Sequence, residues 1–395
     1  MTTSVRARLW KFSVQPDPDG ISDIVAVEVG QGHLPVALSR LTHINALACD
    51  LRKIVDPRVR DHEVALLLSY ITAGAPGTLL TAKHQTLLAS SGHISRFVAE
   101  ATGLGVMTAA SECLFAWSPA DGLHSFDVLP GQLVKQYGGG GVRPDLLFHV
   151  AGGPLAGEAR GRRRLAKQLF PGTATAAQRG RLLQLAAWST AHAGHAYFMS
   201  WVWIGPTGVG VDIFLPANDS VDSALDLTWI DEPGHAVWEI RAERRRTPER
   251  AEAPAEEHWV EDLDGDEPRS RAQILPVHSD NVLHGKKVLS PEERMDAALN
   301  LRFEMTGDVV GEIGGVLMRG RWVSADRLGP ATHEVFLGVL ADRLPDRATR
   351  RGHARRHAQS LDTHLDGRML TVVHRIDEDR PSWERVTADL LIDPS

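Results

Sequence analysis

Residues 142–164 read Val-Arg-Pro-Asp-Leu-Leu-Phe-His-Val-Ala-Gly-Gly-Pro-Leu-Ala-Gly-Glu-Ala-Arg-Gly-Arg-Arg-Arg. Pro144 and Asp145 open a short apolar run, Leu146 to Val150. Ala151, Gly152, Gly153 and Pro154 carry turn chemistry, and Leu155 to Arg160 is a returning strand. Folding this hairpin about its turn sets Asp145 opposite the end that carries Glu158 and Arg160. Side chains alternate between the faces of a strand, so Glu158 and Arg160 share one face and Ala159 points away. Two carboxylates and a cation then meet at one end of a bent ribbon. Such a place suits a divalent metal, because Mg²⁺ takes oxygen ligands, usually one or two carboxylates with waters and phosphate.

Working outward, 395 residues at 43% hydrophobic content are enough for two or three domains with cores of their own. A formal net charge of −7 excludes a molecule-wide cationic surface, so any grip on a polyanion must come from local basic patches or from a partner. The two cysteines, Cys49 and Cys113, are too few for a disulfide framework and suit a reducing compartment. The N-terminus lacks an apolar core of signal-peptide length, and no run approaches a membrane span. The expectation is a soluble cytoplasmic protein that does not engage a membrane.

The hairpin resembles the PD-(D/E)XK nuclease superfamily, which includes many restriction endonucleases and repair nucleases. Its pattern is Pro-Asp at a strand, a turn, and Asp/Glu-x-Lys on the next strand. Pro144-Asp145 match the first part and Glu158-Ala159-Arg160 the second, with arginine where the pattern has lysine. The flanking elements fit. Leu79 to Ala101 reads as a helix ended by Thr102-Gly103, and a further helix runs after Gly105 through Glu112 to Trp117. Phe126 to Leu129 is a short strand. After the hairpin, Thr173 or Thr175 caps a helix through His192, closed by Gly194. Ala196–Ile204 and Val209–Leu215 are strands. The order helix, strand, strand, strand, helix, strand, with one further strand, resembles the superfamily's core over roughly residues 93–215.

The expected fold is therefore α/β: a restriction-endonuclease-like mixed sheet flanked by helices, plus a smaller C-terminal α+β domain. The expected boundaries are an N-terminal α/β lead-in at 1–61, the nuclease-like core at 62–215, a charged linker at 216–285 and the C-terminal domain at 286–395. The linker rests on the basic run Arg241 to Arg250 and the acid-dominated run Glu252 to Glu267. In the C-terminal domain, Pro291–Phe303 reads as a helix, Val309–Val323 as two strands about Gly314-Gly315, Ala331–Leu344 as an amphipathic helix and Met369–His374 as a strand.

The resemblance implies a deoxyribonuclease in a bacterial restriction, defence or repair setting. Asp145 and Glu158 would hold Mg²⁺ or Mn²⁺, and Arg160 would relieve negative charge. Guanidinium stays protonated at any workable pH and is a poor base. The attacking water would then lose its proton to the phosphate or solvent, or Lys167 would reach in. Glu112, on the helix before the first strand, matches the place of an extra ligating glutamate in some members; Glu100 is a weaker candidate. Gln184, or Gln178, matches a site-orienting glutamine. Arg162, Arg163, Arg164, Lys167, Arg179 and Arg181 form a local basic excess suited to phosphate contacts on DNA. A protein partner, or a second copy of the chain, would complete the assembly. The same residues also admit a plainer account, in which Asp145 caps a turn and Glu158 pairs with an arginine. On that account the chain is a catalytically degenerate nuclease-fold protein that binds nucleic acid or scaffolds a complex.

Other chemistries lack their signatures. Gly138 to Gly141 is not followed by Gly-Lys-Ser/Thr, His192 and His195 have no further zinc ligand nearby, and there is no Gly-x-Ser-x-Gly elbow. Trp188, Trp201 and Trp203 read as core or sheet-face residues.

Overall fold

A long hairpin opens the computed structural model of the chain, which describes residues 2–16, 22–52, 57–73, 77–115, 117, 123–126, 133, 136–137, 142–150, 152–217, 225–240, 299–300, 302–304, 308–324, 332–344 and 361–391. Strands β1 (Thr2–Pro16) and β2 (Ser22–Ala37) are followed by helices α1 (Leu38–Arg52) and α2 (Pro57–Tyr70). A two-strand ribbon, β3 (Ile71–Thr72) with β4 (Thr81–Ala82), precedes α3 (His84–Ala89) and the long helix α4 (Gly92–Phe115). Next come β5 (Leu123–Ser125), β6 (Leu146–Val150), β7 (Gly153–Arg163), α5 (Ala176–Ala191), β8 (Tyr197–Gly205) and β9 (Gly208–Pro216).

The large mixed sheet runs β10-β2-β1-β9-β8-β7-β6-β5, where β10 is Ile230–Pro233, and β11 (Val237–Ile240) also pairs with β2. Pairs β1/β9 and β7/β8 are parallel; the others are antiparallel. A parallel neighbour needs a crossover, and α5 supplies the one between β7 and β8. Strand β8 is buried along its whole length, as a strand covered on both faces must be. Its alternate residues divide between two cores. Phe198, Val202 and Ile204 pack on the side of α4, whereas Tyr197, Met199, Trp201 and Trp203 pack on the side of α5.

A second sheet, β12-β13-β14-β16-β15, is built from β12 (Val309–Ile313), β13 (Val316–Ser324), β14 (His333–Leu340), β15 (Asp362–Asp366) and β16 (Met369–Arg375). One face of it joins the core formed by α1, α2 and α4 through Val323, Val335, Leu337, Val339, Met369 and Val373. The other face, with Met318, Phe336, Leu370 and Val372, is covered by α6 (Trp383–Leu391). The protein is thus mixed α/β, with helices between and outside two sheets.

Several sequence expectations change. The separation at residue 61 has no counterpart, because β1 lies within the large sheet between β2 and β9. Residues 230–240, expected in the linker, form edge strands on β2. Ala331–Leu344 is not a helix: its centre is β14, paired on both sides. The glycine run 138–141 and the charged run 241–267 lie outside the described residues. No described helix is long and apolar enough to cross a membrane.

Helix α4 runs straight through Thr102-Gly103 and Gly105, which the sequence reading took as stops. These glycines serve packing instead. A Cβ on Gly105 would lie 2.5 Å from the Leu41 side chain, and one on Gly103 would lie 3.0 Å from the backbone nitrogen of Gly161. Gly161 is the reciprocal contact, where a Cβ would fall 1.7 Å from the carbonyl oxygen of Ala99. Helix and strand therefore meet backbone to backbone, and neither side can yield. Gly161→Ala is expected to destabilise the protein by about 3 kcal/mol through overpacking, read as a lowered midpoint in urea unfolding.

Candidate active site

The hairpin β6/β7 pairs Leu146 with Gly157 and Val150 with Gly153. Just before β6, the backbone N–H of Asp145 donates to the carbonyl of Gly157 at 2.9 Å. The Asp145 side chain accepts at Oδ2 from the backbone N–H of Ala159 at 2.8 Å. That bond fixes the first carboxylate against the Glu158–Arg160 segment, at the end of the ribbon where the sequence set it. Along β7, Leu155 and Ala159 point to the α4 core while Ala156 points to the α5 core. Strand alternation puts Glu158, Arg160 and Arg162 on the α5 side with Ala156.

Glu158 is fully buried. Its Oε1 accepts from Arg181 Nε at 2.7 Å and is ion-paired with Arg160 Nε at 2.9 Å and Arg181 Nη2 at 2.6 Å. Its Oε2, equally buried, has no hydrogen-bond partner. Arg181, on the second turn of α5, also donates to Gln184 Oε1 at 3.2 Å and to the carbonyl of Arg143 at 3.2 Å. Burial pushes the Glu158 carboxyl up from 4.5 to about 7; the charge of Asp145 adds to the rise, and Arg160 and Arg181 oppose it. Burial likewise lowers Arg181, against the pull of Glu158. Asp145 is held against the Glu158–Arg160 segment through Ala159, Arg160 and Arg181 gather on Glu158, and Gln184 is attached through Arg181. Arg181 joins them through a carboxylate rather than standing ready for phosphate.

Glu112 does not join them. Its carboxylate is paired with Arg40 of α1, and α4 lies on the opposite side of the sheet from α5. The extra-ligand role is corrected accordingly: a buried acid on α4 needed a counter-charge, and α1 provides it. Of the basic residues, Arg162 and Arg164 lie over the rings of Trp201 and Trp203, at 5.6 and 5.8 Å from the ring centres. Arg163 and Lys167 are exposed, and Arg179 is half-buried on the first turn of α5. Trp188, Trp201 and Trp203 are buried, as the sequence indicated.

A second buried carboxylate escaped the sequence reading. Asp212, in the middle of β9, accepts at Oδ1 from Arg8 Nε (2.7 Å) and Trp10 Nε1 (3.0 Å), and at Oδ2 from Trp203 Nε1 (2.7 Å) and Gln178 Nε2 (3.5 Å). The signal was an aspartate inside an otherwise apolar strand. All of its neighbours are accounted for, so the cluster reads as structure. Gln178 belongs to it, and also closes a capping box with Thr175 at the start of α5.

No protein-family model, curated protein or solved structure matches this chain.

Whether the group fits a divalent cation turns on its donor set. Among the described residues no three His, Cys, Asp or Glu side chains converge as ligands. Two carboxylates lie near enough for the charge of Asp145 to raise Glu158, and Glu158 keeps a buried oxygen with no partner. Two carboxylates with waters and a phosphate satisfy Mg²⁺, so the residues fit.

The raised Glu158 has a measurable consequence. The folded state keeps a proton that the unfolded chain loses near pH 4.5. The associated stability is fully present below that pH, declines as pH rises, and is gone above about pH 7. Its size is on the order of 3 kcal/mol. Urea unfolding of the wild type across this window is expected to show that decline, and Glu158→Gln is expected to abolish it.

Proposed function

We propose that the protein is a metal-dependent nuclease of the PD-(D/E)XK type acting on DNA. The observation that carries this reading is the convergence of Asp145 and Glu158 at the end of one hairpin, with an unpartnered buried oxygen on Glu158 and Arg160 and Gln184 beside it. The element order α4, β5, β6, β7, α5, β8, β9 supports it, since this is the helix and strand sequence that the resemblance implied. So does the mixed sheet with a helix on each face.

In this reading Asp145 and Glu158 are the residues that hold Mg²⁺ or Mn²⁺, which when bound polarises the phosphate and lowers the pKa of a coordinated water. The chain's own groups do the rest. Ala159's N–H orients the Asp145 carboxylate. Arg160 offsets charge at the phosphate and takes no proton from water, because guanidinium does not deprotonate. Gln184 steadies Arg181, which in turn steadies Glu158.

One observation favours a second reading. Arg160 and Arg181 both lie on Glu158 Oε1, so the acid is already neutralised by two cations from the chain. A nuclease fold without turnover, binding nucleic acid or scaffolding a complex, accounts for that arrangement as well.

Plasmid nicking with Mg²⁺ or Mn²⁺ separates the two. The wild type is expected to nick, and Asp145→Asn and Glu158→Gln to lose at least about 100-fold in rate while keeping the fold by circular dichroism. Equal cleavage by all three proteins would overturn the catalytic assignment, and no cleavage by the wild type would favour the second reading.

A further inference from the structure

Strand β7 does not end at the carboxylate site. It continues through Arg160 and Arg162, and the chain goes on to Arg164, whose N–H still bonds the carbonyl of Ile204 on β8. Strand alternation puts these three arginines on the face that carries Glu158, while Arg163 projects to the other face and is exposed. The neighbouring strand supplies a matching row of rings. Arg160 pairs across with Trp201 and Arg162 with Trp203 in the β7/β8 register, and the guanidiniums of Arg162 and Arg164 sit over Trp201 and Trp203. Arg162 and Arg164 thus each lie over an indole, a contact worth more where the ring is desolvated, as both of these are.

We propose that this row is a phosphate track for a single polynucleotide strand, leading away from Asp145 and Glu158. The proposal rests on the nuclease reading for its direction, since the track begins where the two carboxylates are. Arg160 is tied to Glu158, so the track is carried by Arg162 and Arg164, about 7 Å apart along one strand and on one side. That geometry follows consecutive phosphates of one backbone, and guanidinium is the group whose planar fork suits a phosphate oxygen pair. The tryptophans lie beneath the arginines and are closed to stacking with bases, so binding is read from the backbone and is indifferent to sequence. A mononucleotide would meet only the first cation of the row.

Binding without cleavage tests it. In EDTA, fluorescence anisotropy with labelled single-stranded DNA of 2, 4, 8 and 16 nucleotides is expected to show affinity rising from 2 to 4 nucleotides and levelling beyond, equally for two unrelated sequences. Arg162→Gln/Arg164→Gln is expected to weaken binding of the 16-mer at least tenfold and to reduce the slope of log affinity against log salt by about 1.4. Arg163→Gln, on the opposite face, is expected to stay within twofold of wild type. Cleavage is scored separately by nicking with Mg²⁺, and binding in EDTA where no cleavage occurs, so a loss of cleavage and a loss of the track are read separately. The track is overturned if Arg163→Gln weakens binding as much as the double variant, if affinity does not depend on length, or if a duplex of equal length binds more tightly than the single strand. A double variant that fails to fold, checked by circular dichroism, is replaced by Arg162→Lys/Arg164→Lys. That pair keeps the charge but loses the fork, and is expected to bind between wild type and the glutamine pair; affinity equal to wild type would overturn the role given to the guanidinium.

Discussion

A carboxylate without water is the constraint that shapes the α5 side of this protein. Glu158 sits with no exposure between the sheet and α5. An ionised acid there is tolerated only with charge and hydrogen bonds supplied by the chain. Arg160 comes from the same strand, two residues on. Arg181 comes from 23 residues away and arrives only if α5 crosses back over β7 and β8. Asp212 poses the same demand two strands further along the sheet, and Gln178 of α5 helps to meet it. Residues three apart on one helix therefore contact two buried acids. The N-terminal half of α5 is located by directional polar bonds as well as by Leu182 and Leu185, which press into the core below. Gln178 does both jobs, because its carbonyl oxygen closes the capping box while its amide reaches Asp212.

How much of this was legible in the sequence depended on the range of the interaction. The β6/β7 hairpin could be read because its turn residues and its alternation are local. So could the start of α5, where Thr175 and Gln178 are three apart. Arg181 could not be read as a partner of Glu158, since its sequence neighbours are basic and a phosphate contact was the simplest use for it. The glycines of α4 misled for a different reason: a glycine that stops a helix and a glycine that lets a strand come close look identical in one dimension. Strand β14 misled because Val335-Phe336-Leu337-Gly338-Val339-Leu340 is apolar at every period. A strand covered on both faces has no alternation to show.

The place of the first 37 residues was also hidden. Arg8 and Trp10 on β1 face Asp212 across the parallel pair with β9, more than 200 residues apart in sequence. Nothing near Arg8 shows that its charge is to be buried, yet its guanidinium is stacked against Trp10, Phe170 and Trp238. An arginine in a β-strand flanked by apolar residues is as consistent with a solvated edge as with a buried pair. Only the partner acid decides, and that acid is on the adjacent strand β9, far away in sequence alone.

These contacts also tie the C-terminal sheet to the site. Behind β7, Gly161 lies against Gly103 of α4, and Gly105 of α4 lies against Leu41 of α1. Glu112 of α4 pairs with Arg40 of α1. The far side of α1 then meets the second sheet, where Ser39 bonds Asp362 and His43 Nδ1 lies 3.0 Å from Thr371 Oγ1. His364, against the His43 ring, is held well below its ordinary pKa by burial first and by its charged neighbours second, so its own ring is uncharged near neutral pH. Close-packed interiors transmit displacement rather than absorb it. A backbone-to-backbone crossing followed by a close glycine–leucine contact leaves little slack, so the second sheet acts as a buttress for the strand that carries Glu158. A reader of the sequence would have assigned that sheet to a separate domain; the packing makes it part of the support of the site.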